Sequence, residues 1–111
     1  MNNQNFDLEK NLSIAFQKLQ NNNINEASKL YKKILEIYPK NFDSNFYLGT
    51  IFAQNNKSKE AAELLEKAVE ANPKIADVHN NLGLIYMRLG EINKALKSLN
   101  TAIKLNPKYS E

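Results

Sequence analysis

The sequence predicts an all-α solenoid of three helix–turn–helix repeats, and three observations predict it. The first is a pattern that returns every 34 residues. Between Asp77 and Pro107 it reads Leu82-Gly83, Tyr86, Gly90, Ala95, Leu99, Ala102 and Pro107. One period earlier it reads Leu48-Gly49, Phe52, Asn56, Ala61, Leu65, Ala68 and Pro73, and earlier still, blurred, Ile14-Ala15, Lys18, Asn22, Ala27, Tyr31, Ile34 and Pro39. The second is spacing: Leu48 and Phe52, like Leu82 and Tyr86, fall four apart and form one helical stripe, and no segment alternates like a strand. The third is punctuation. Asn or Gly, then Pro, recurs at the same two places in each copy, and no helix interior contains proline.

Taken in order, Met1–Phe6 reads as a loose end, with residues 1–7 as a tail and 8–111 as a single domain. Asp7 is suited to cap a first helix over Leu8–Gln20. Asn21-Asn22-Asn23 ends it, because asparagine tolerates the left-handed conformation at a helix end. A second helix is expected over Ile24–Ile37, closed by Tyr38-Pro39-Lys40-Asn41. The second pair repeats this grammar: Phe42–Gln54, the turn Asn55-Asn56, then Ser58–Ala71 with Ser58 as N-cap, closed by Asn72-Pro73. The third pair is expected over Ile75–Leu89 and Glu91–Leu105, with Gly90 in the turn. Gly49 and Gly83 lie mid-helix, where glycine costs about 1 kcal/mol relative to alanine. The same cost at the same place twice predicts a close helix crossing there, with Ala27, Ala61 and Ala95 on the facing helix.

Composition excludes several classes. At 111 residues, with 42% hydrophobic and 24% charged, the chain suits one ordinary soluble domain. It has no apolar run long enough for a membrane span, and Met1–Asp7 does not read as a secretory signal. Cysteine is absent, which excludes disulfides and thiol chemistry, and a cytoplasmic location is the default. A net charge of +3 is mild, and the lysines are mixed with acids such as Glu60, Glu63 and Glu66. Nucleic-acid readers concentrate basic residues on one face, so neither nucleic acid nor membrane is expected as a partner. The lone His79 has no second ligand at metal spacing, and no phosphate loop or strained nucleophile turn occurs. No catalytic residue, cofactor or metal is assigned.

The repeating columns resemble the tetratricopeptide repeat, in three tandem copies over residues 8–41, 42–75 and 76–109. The resemblance implies a right-handed α-solenoid. The chain departs from the pattern where tryptophan is often found, with Asn11, Asn45 and His79 in that column. The first copy departs further at Ala15, Lys18 and Ile34.

The leading helices also carry a second apolar stripe. Leu12, Phe16 and Leu19 are spaced i, i+4, i+7, and their equivalents are Phe46, Thr50 and Ala53, then Asn80, Leu84 and Met87. The resemblance implies that this side lines a concave groove for partner peptides, with Gln20, Gln54 and Arg88 at its edge. Asp43 and Asp77, with Glu9, recur in the first turns of the leading helices, where a carboxylate favours the helix start and also gives an acidic rim. A chaperone-tail carboxylate clamp is not expected, since Leu12, Phe16, Tyr47, Asp77 and Asn81 stand where its basic and amide groups belong. An asparagine ladder of the kind in glycosyltransferase arms would fall on Ser13, Tyr47 and Asn81, of which Asn81 alone fits.

The expected function is a non-catalytic interaction module that holds a peptide or helix of a protein partner in an apolar groove. The alternatives are the repeat arm of a larger enzyme such as a glycosyltransferase, or a self-assembling scaffold unit. Lys108–Glu111 reads like the start of a further repeat, which leaves Leu96 and Ile103 expected at a sticky edge suited to homodimer formation, while Leu99 turns inward.

Overall fold

The computed structural model describes residues 6–110. Six helices follow one another: α1 Leu8–Gln20, α2 Ile24–Ile37, α3 Phe42–Gln54, α4 Ser58–Ala71, α5 Ala76–Arg88 and α6 Ile92–Leu105, with a short 3-10 turn at Pro107–Ser110. Each helix packs on its neighbours in sequence, and the stack is elongated, 44 × 25 × 24 Å. This is the one-dimensional arrangement of a solenoid, in which each repeat is stabilised by the repeats beside it.

The turn inside each repeat is built identically. Asn22, Asn56 and Gly90 adopt φ of 65°, 64° and 78°. In each, the following amide reaches back to a carbonyl five residues earlier: Asn23 N to Lys18 O at 2.8 Å, Lys57 N to Phe52 O at 2.9 Å and Glu91 N to Tyr86 O at 2.8 Å. The left-handed residue itself donates to Leu19 O, Ala53 O or Met87 O. These are Schellman closures, which satisfy carbonyls that the helix end would leave open.

This closure also corrects the expected start of α4. Ser58 is the first helical residue, not the cap; Lys57 takes that place and makes no side-chain cap bond. Its amide is held by Phe52 O and its carbonyl accepts from Ala61 N, so the tight turn fixes the cap one residue earlier. The same geometry starts α6 at Ile92 rather than Glu91. α5 runs over Ala76–Arg88, one residue shorter at each end than expected.

The turns between repeats use polar side chains. Asp7 Oδ1 accepts from Lys10 N at 3.0 Å and Asn41 Oδ1 accepts from Ser44 N at 2.8 Å, so both cap their helices. Ile75, in the same column, provides no cap. The column that lacks tryptophan has a related role. Asn11 donates to Asp7 O, Asn45 to both Pro39 O and Asn41 O, and His79 Nε2 to Pro73 O at 2.7 Å. Each side chain ties a leading helix to the loop before it. At the N-terminal end, residues 1–5 of the expected tail lie outside the described residues, while the Phe6 ring lies 6.3 Å from that of Tyr38.

Two cores result. Ala15, Ala27, Tyr31, Ile34, Leu48 and Ile51 form one between the first and second repeats. Ala61, Ala62, Leu65, Ala68, Val78, Leu82, Ile85, Tyr86 and Ala95 form the other, and Phe52 packs against both. The glycine columns mark the crossings. A methyl group on Gly83 would stand 2.5 Å from Leu99 Cγ, and one on Gly49 would stand 3.0 Å from Leu65 Cγ. The facing residue at closest approach is therefore leucine, with Ala95 O next at 3.4 Å from Gly83.

Candidate functional site: a surface along the leading helices

Part of the expected groove lines two clefts along α1, α3 and α5, while Leu19, Gln20, Phe46, Asp77, Asn80 and Met87 line neither. The first, of about 250 Å³, is lined by Leu12, Ser13 and Phe16 of α1, Tyr31 of α2, and Asp43 and Tyr47 of α3. The second, of about 200 Å³, is lined by Thr50, Ala53 and Gln54 of α3 with Asn81, Leu84, Ile85 and Arg88 of α5. Each cleft lies where successive leading helices meet, so the series follows from the stacking itself.

Exposure differs along the stripe. Phe16, Leu84 and Met87 are 39%, 48% and 52% exposed, large values for such side chains. Leu12 and Leu19 are half-buried against the first core, and Phe46 is half-buried against the second. Gln20, Asp43, Gln54, Asp77 and Arg88 are exposed, and Asn80 and Asn81 are half-buried. Two of the polar candidates are already engaged. Thr50 Oγ1 donates to Phe46 O one turn back at 2.8 Å. Arg88 donates to Ala53 O in the last turn of α3 at 3.0 Å, where the helix end favours a cation.

The first cleft is aromatic. The Tyr47 ring lies 5.4 Å from Phe16, 5.8 Å from Tyr31 and 5.0 Å from Phe46, and Phe46 stacks on Phe42 at 5.7 Å. These are favourable ring separations. Burial, then the Tyr47 hydroxyl and the Asp43 charge, push the Tyr31 hydroxyl far above the ordinary tyrosine value. Burial, with Asp43 after it, raises Tyr47 as well. Tyr31 was not among the expected groove residues because it lies on α2. The available signal was an aromatic in a column that holds Leu65 and Leu99 in the other copies.

A larger cleft, of about 430 Å³, lies on the other side, between α4 and α6 over α5. Glu66 and Glu70 line it from α4, Lys94 and Lys97 from α6, and His79 and Tyr86 from α5. Several of its groups already have partners in or beside it. Tyr86 donates to Glu66, Lys94 stands 5.5 Å over the Tyr86 ring and 3.1 Å from Glu91, and His79 is bound to Pro73 O. Among the described residues no group of three or more histidines and acids is gathered for a metal, and no helix is long and apolar enough to cross a membrane.

At the expected self-association edge, Leu96 is 55% exposed and Ile92, one turn before it, 54%. Ile103 is half-buried. The equivalent of Leu96 in the second repeat, Ala62, is 6% exposed within the second core.

The family model for the tetratricopeptide repeat matches residues 76–109. Two further models of the same repeat match residues 49–90 and 30–63. No curated protein matches the chain. Among solved structures, MamA of strain AMB-1 superposes with a TM-score of 0.82 at 28% identity, over 91% of this chain and 55% of that one. An O-GlcNAc transferase mutant from Thermobaculum terrenum superposes with a TM-score of 0.82 at 27% identity, over 92% of this chain and 20% of that one. A truncated MamA from Desulfovibrio magneticus RS-1 gives 0.83 at 24% identity, over 96% of this chain and 62% of that one, and bears on the fold alone. The chain thus spans little more than half of MamA of strain AMB-1 and a fifth of the transferase.

Proposed function

The chain belongs to the tetratricopeptide-repeat family, a class of protein-interaction modules, and from that premise we propose that it holds a peptide or helix of a protein partner along α1, α3 and α5. The observation that carries this reading is a pair of clefts along the leading helices with exposed Phe16 in the first, exposed Leu84 in the second, and Met87 exposed on α5 as well. Exposed large apolar side chains in a row mark contact surfaces, and methionine there adapts to more than one shape. Asp43 and Asp77 tune selectivity from the rim. The module is non-catalytic and cytoplasmic in this reading.

Pull-down with the wild type and with the pair Phe46→Ala and Leu84→Ala tests it. The variant is expected to keep its helical circular dichroism and lose its partners. Undiminished capture would mean that the surface is not the site. Apolar anchors also imply weak dependence on salt, and a steep loss with added salt would point to the charged rim instead.

Two narrower readings attach to the same fold. The likeness to a fifth of an O-GlcNAc transferase favours a repeat arm whose chemistry lies on other residues of a longer protein. The exposed Ile92 and Leu96 favour self-association through α6.

A further inference from the structure

We propose that the cleft between α1 and α3 is a cage for a cationic side chain, a lysine or arginine presented by the peptide bound along the leading helices. The inference rests on that binding surface and names what one part of it recognises.

Three observations carry it. The first is the wall. Phe16, Tyr31 and Tyr47 contribute rings around one cleft, with Tyr47 within 5.8 Å of both others. Aromatic faces attract cations through the ring quadrupole, and groups of such rings are a known way to hold an ammonium group. The second is charge. Among the described residues Asp43 is the one charged residue lining the cleft, it stands one turn before Tyr47 on α3, and no lysine or arginine among them lines the space. Its carboxylate is exposed and free to meet an incoming cation. The third is an unpaired group. Tyr31 is 1% exposed, and its hydroxyl finds no hydrogen-bond partner among the described residues. Buried hydroxyls are normally partnered, and this one, enclosed behind the cleft wall, accepts a hydrogen bond from a bound donor once the wall rings part to admit it.

The chain supplies its own control. The second cleft, between α3 and α5, shares with the first only the columns of Thr50 and Asn81, and Thr50, Leu65 and Asn81 stand in the columns of Phe16, Tyr31 and Tyr47. Asp77 is retained in the column of Asp43, and Arg88 lines the space. With no ring in its wall, and with Arg88 rather than Asp77 lining it, this cleft is not a cation cage.

Titration of the isotope-labelled full chain followed by NMR tests the inference. The probes are the N-acetyl, N-methylamide derivatives of lysine, arginine and trimethyllysine, with norleucine as the neutral isostere of lysine. The cationic probes are expected to shift the amides of Ser13, Asp43 and Tyr47 saturably, and norleucine to bind roughly three- to tenfold more weakly. A preference for trimethyllysine over lysine would assign the recognition to the rings; equal binding would give a larger share to Asp43 and the Tyr31 hydroxyl. Asp43→Asn, an exposed change checked for retained helical signal, is expected to weaken the cationic probes by a similar factor, whereas Glu63→Gln, exposed on α4 away from both clefts, leaves them unchanged. Equal binding of norleucine and lysine, no saturable shift at these amides, or indifference to Asp43→Asn would each overturn the cage. Partner capture that depends on Leu84 while norleucine matches lysine would remove the cage and keep the peptide surface. Lysine binding at Tyr47 with capture indifferent to Phe46 and Leu84 would do the reverse.

Discussion

The hydroxyl of Tyr86 on α5 donates a hydrogen bond to Oε2 of Glu66 on α4, joining the second repeat to the third. In the junction before it, the same columns hold Phe52 and Lys32, and the Lys32 ammonium stands 5.6 Å over the Phe52 ring. One architectural joint is thus closed by two different chemistries. The first is a cation over a ring, and the second is a phenol on a carboxylate.

That relationship predicts a swap. Tyr86→Phe removes a hydrogen bond to a charged acceptor, with an expected loss of about 1.5–3 kcal/mol, toward the lower end because Glu66 is only half-buried and can turn to water. Adding Glu66→Lys recreates the Lys32–Phe52 pair and should recover about 0.5–1 kcal/mol. Urea unfolding of the two single variants and the double variant gives the coupling. Strict additivity would contradict the equivalence of the two joints.

The buried tyrosines also set a response to alkali. Burial raises the hydroxyls of both Tyr31 and Tyr86, Tyr86 further through its bond to Glu66 and Tyr31 further through Tyr47 and Asp43. In the unfolded chain each ionises near pH 10, whereas in the folded chain each keeps its proton well above that. The folded state then binds more protons, so stability is fully present below about pH 10 and falls as pH rises beyond it. The slope is at most about 1.4 kcal/mol per pH unit for each tyrosine. Unfolding measured between pH 9 and 12, as a range suggested by these values, should become shallower in pH for Tyr86→Phe and again for Tyr31→Phe. An unchanged slope in both would show that other groups carry the response.

Much of the fold was legible because its signals act locally. Asn22, Asn56 and Gly90 are the residues for which a positive φ is least costly, and each turn closes at that residue. The ends of α1 through α4 follow from them and from Pro39 and Pro73. The small misses have a common origin. Ile75 begins α5 without a side-chain cap, and the Schellman closure moves the caps of α4 and α6 onto Lys57 and Glu91, neither of which advertises a cap. At the candidate site, the stripe on the leading helices could be read from spacing. The approach of Tyr31 from α2 and the tie from Arg88 to Ala53 O depend on how helices cross, which a periodic pattern does not encode.

The glycine columns give a graded prediction. Gly83→Ala gains about 1 kcal/mol of helix propensity but drives a methyl group against Leu99 Cγ and Cδ2, both at 2.5 Å. Overpacking of this kind costs about 1–3 kcal/mol, so a net loss of roughly 1–2 kcal/mol is expected. Gly49→Ala meets Leu65 at 3.0 Å, a gap that a slight shift relieves, and should be close to neutral. Thermal unfolding should therefore rank Gly83→Ala clearly below Gly49→Ala. Combining Gly83→Ala with Leu99→Ala should cost less than the sum of the two single changes, because it removes both colliding atoms, Cγ and Cδ2.

The last prediction concerns α6. In the second repeat the column of Leu96 holds Ala62, which lies within a core formed with Val78 and Ile85 of the next leading helix. Leu96 instead stands 55% exposed, with Ile92 54% exposed one turn away and Ile103 half-buried two turns on. Covering large aliphatic side chains is worth about 1.5–3 kcal/mol each when burial is complete, and proportionally less from these starting exposures. Two copies that meet through α6 would cover the same residues on both sides, which is the self-complementary geometry of a twofold dimer. Sedimentation over a concentration series should therefore show reversible association, lost on Leu96→Glu with Ile103→Glu while the helical signal stays. Ile92→Glu should weaken it as well, since it extends the same row of side chains. A strictly monomeric wild type, or a dimer unmoved by these charges, would refute association through this edge.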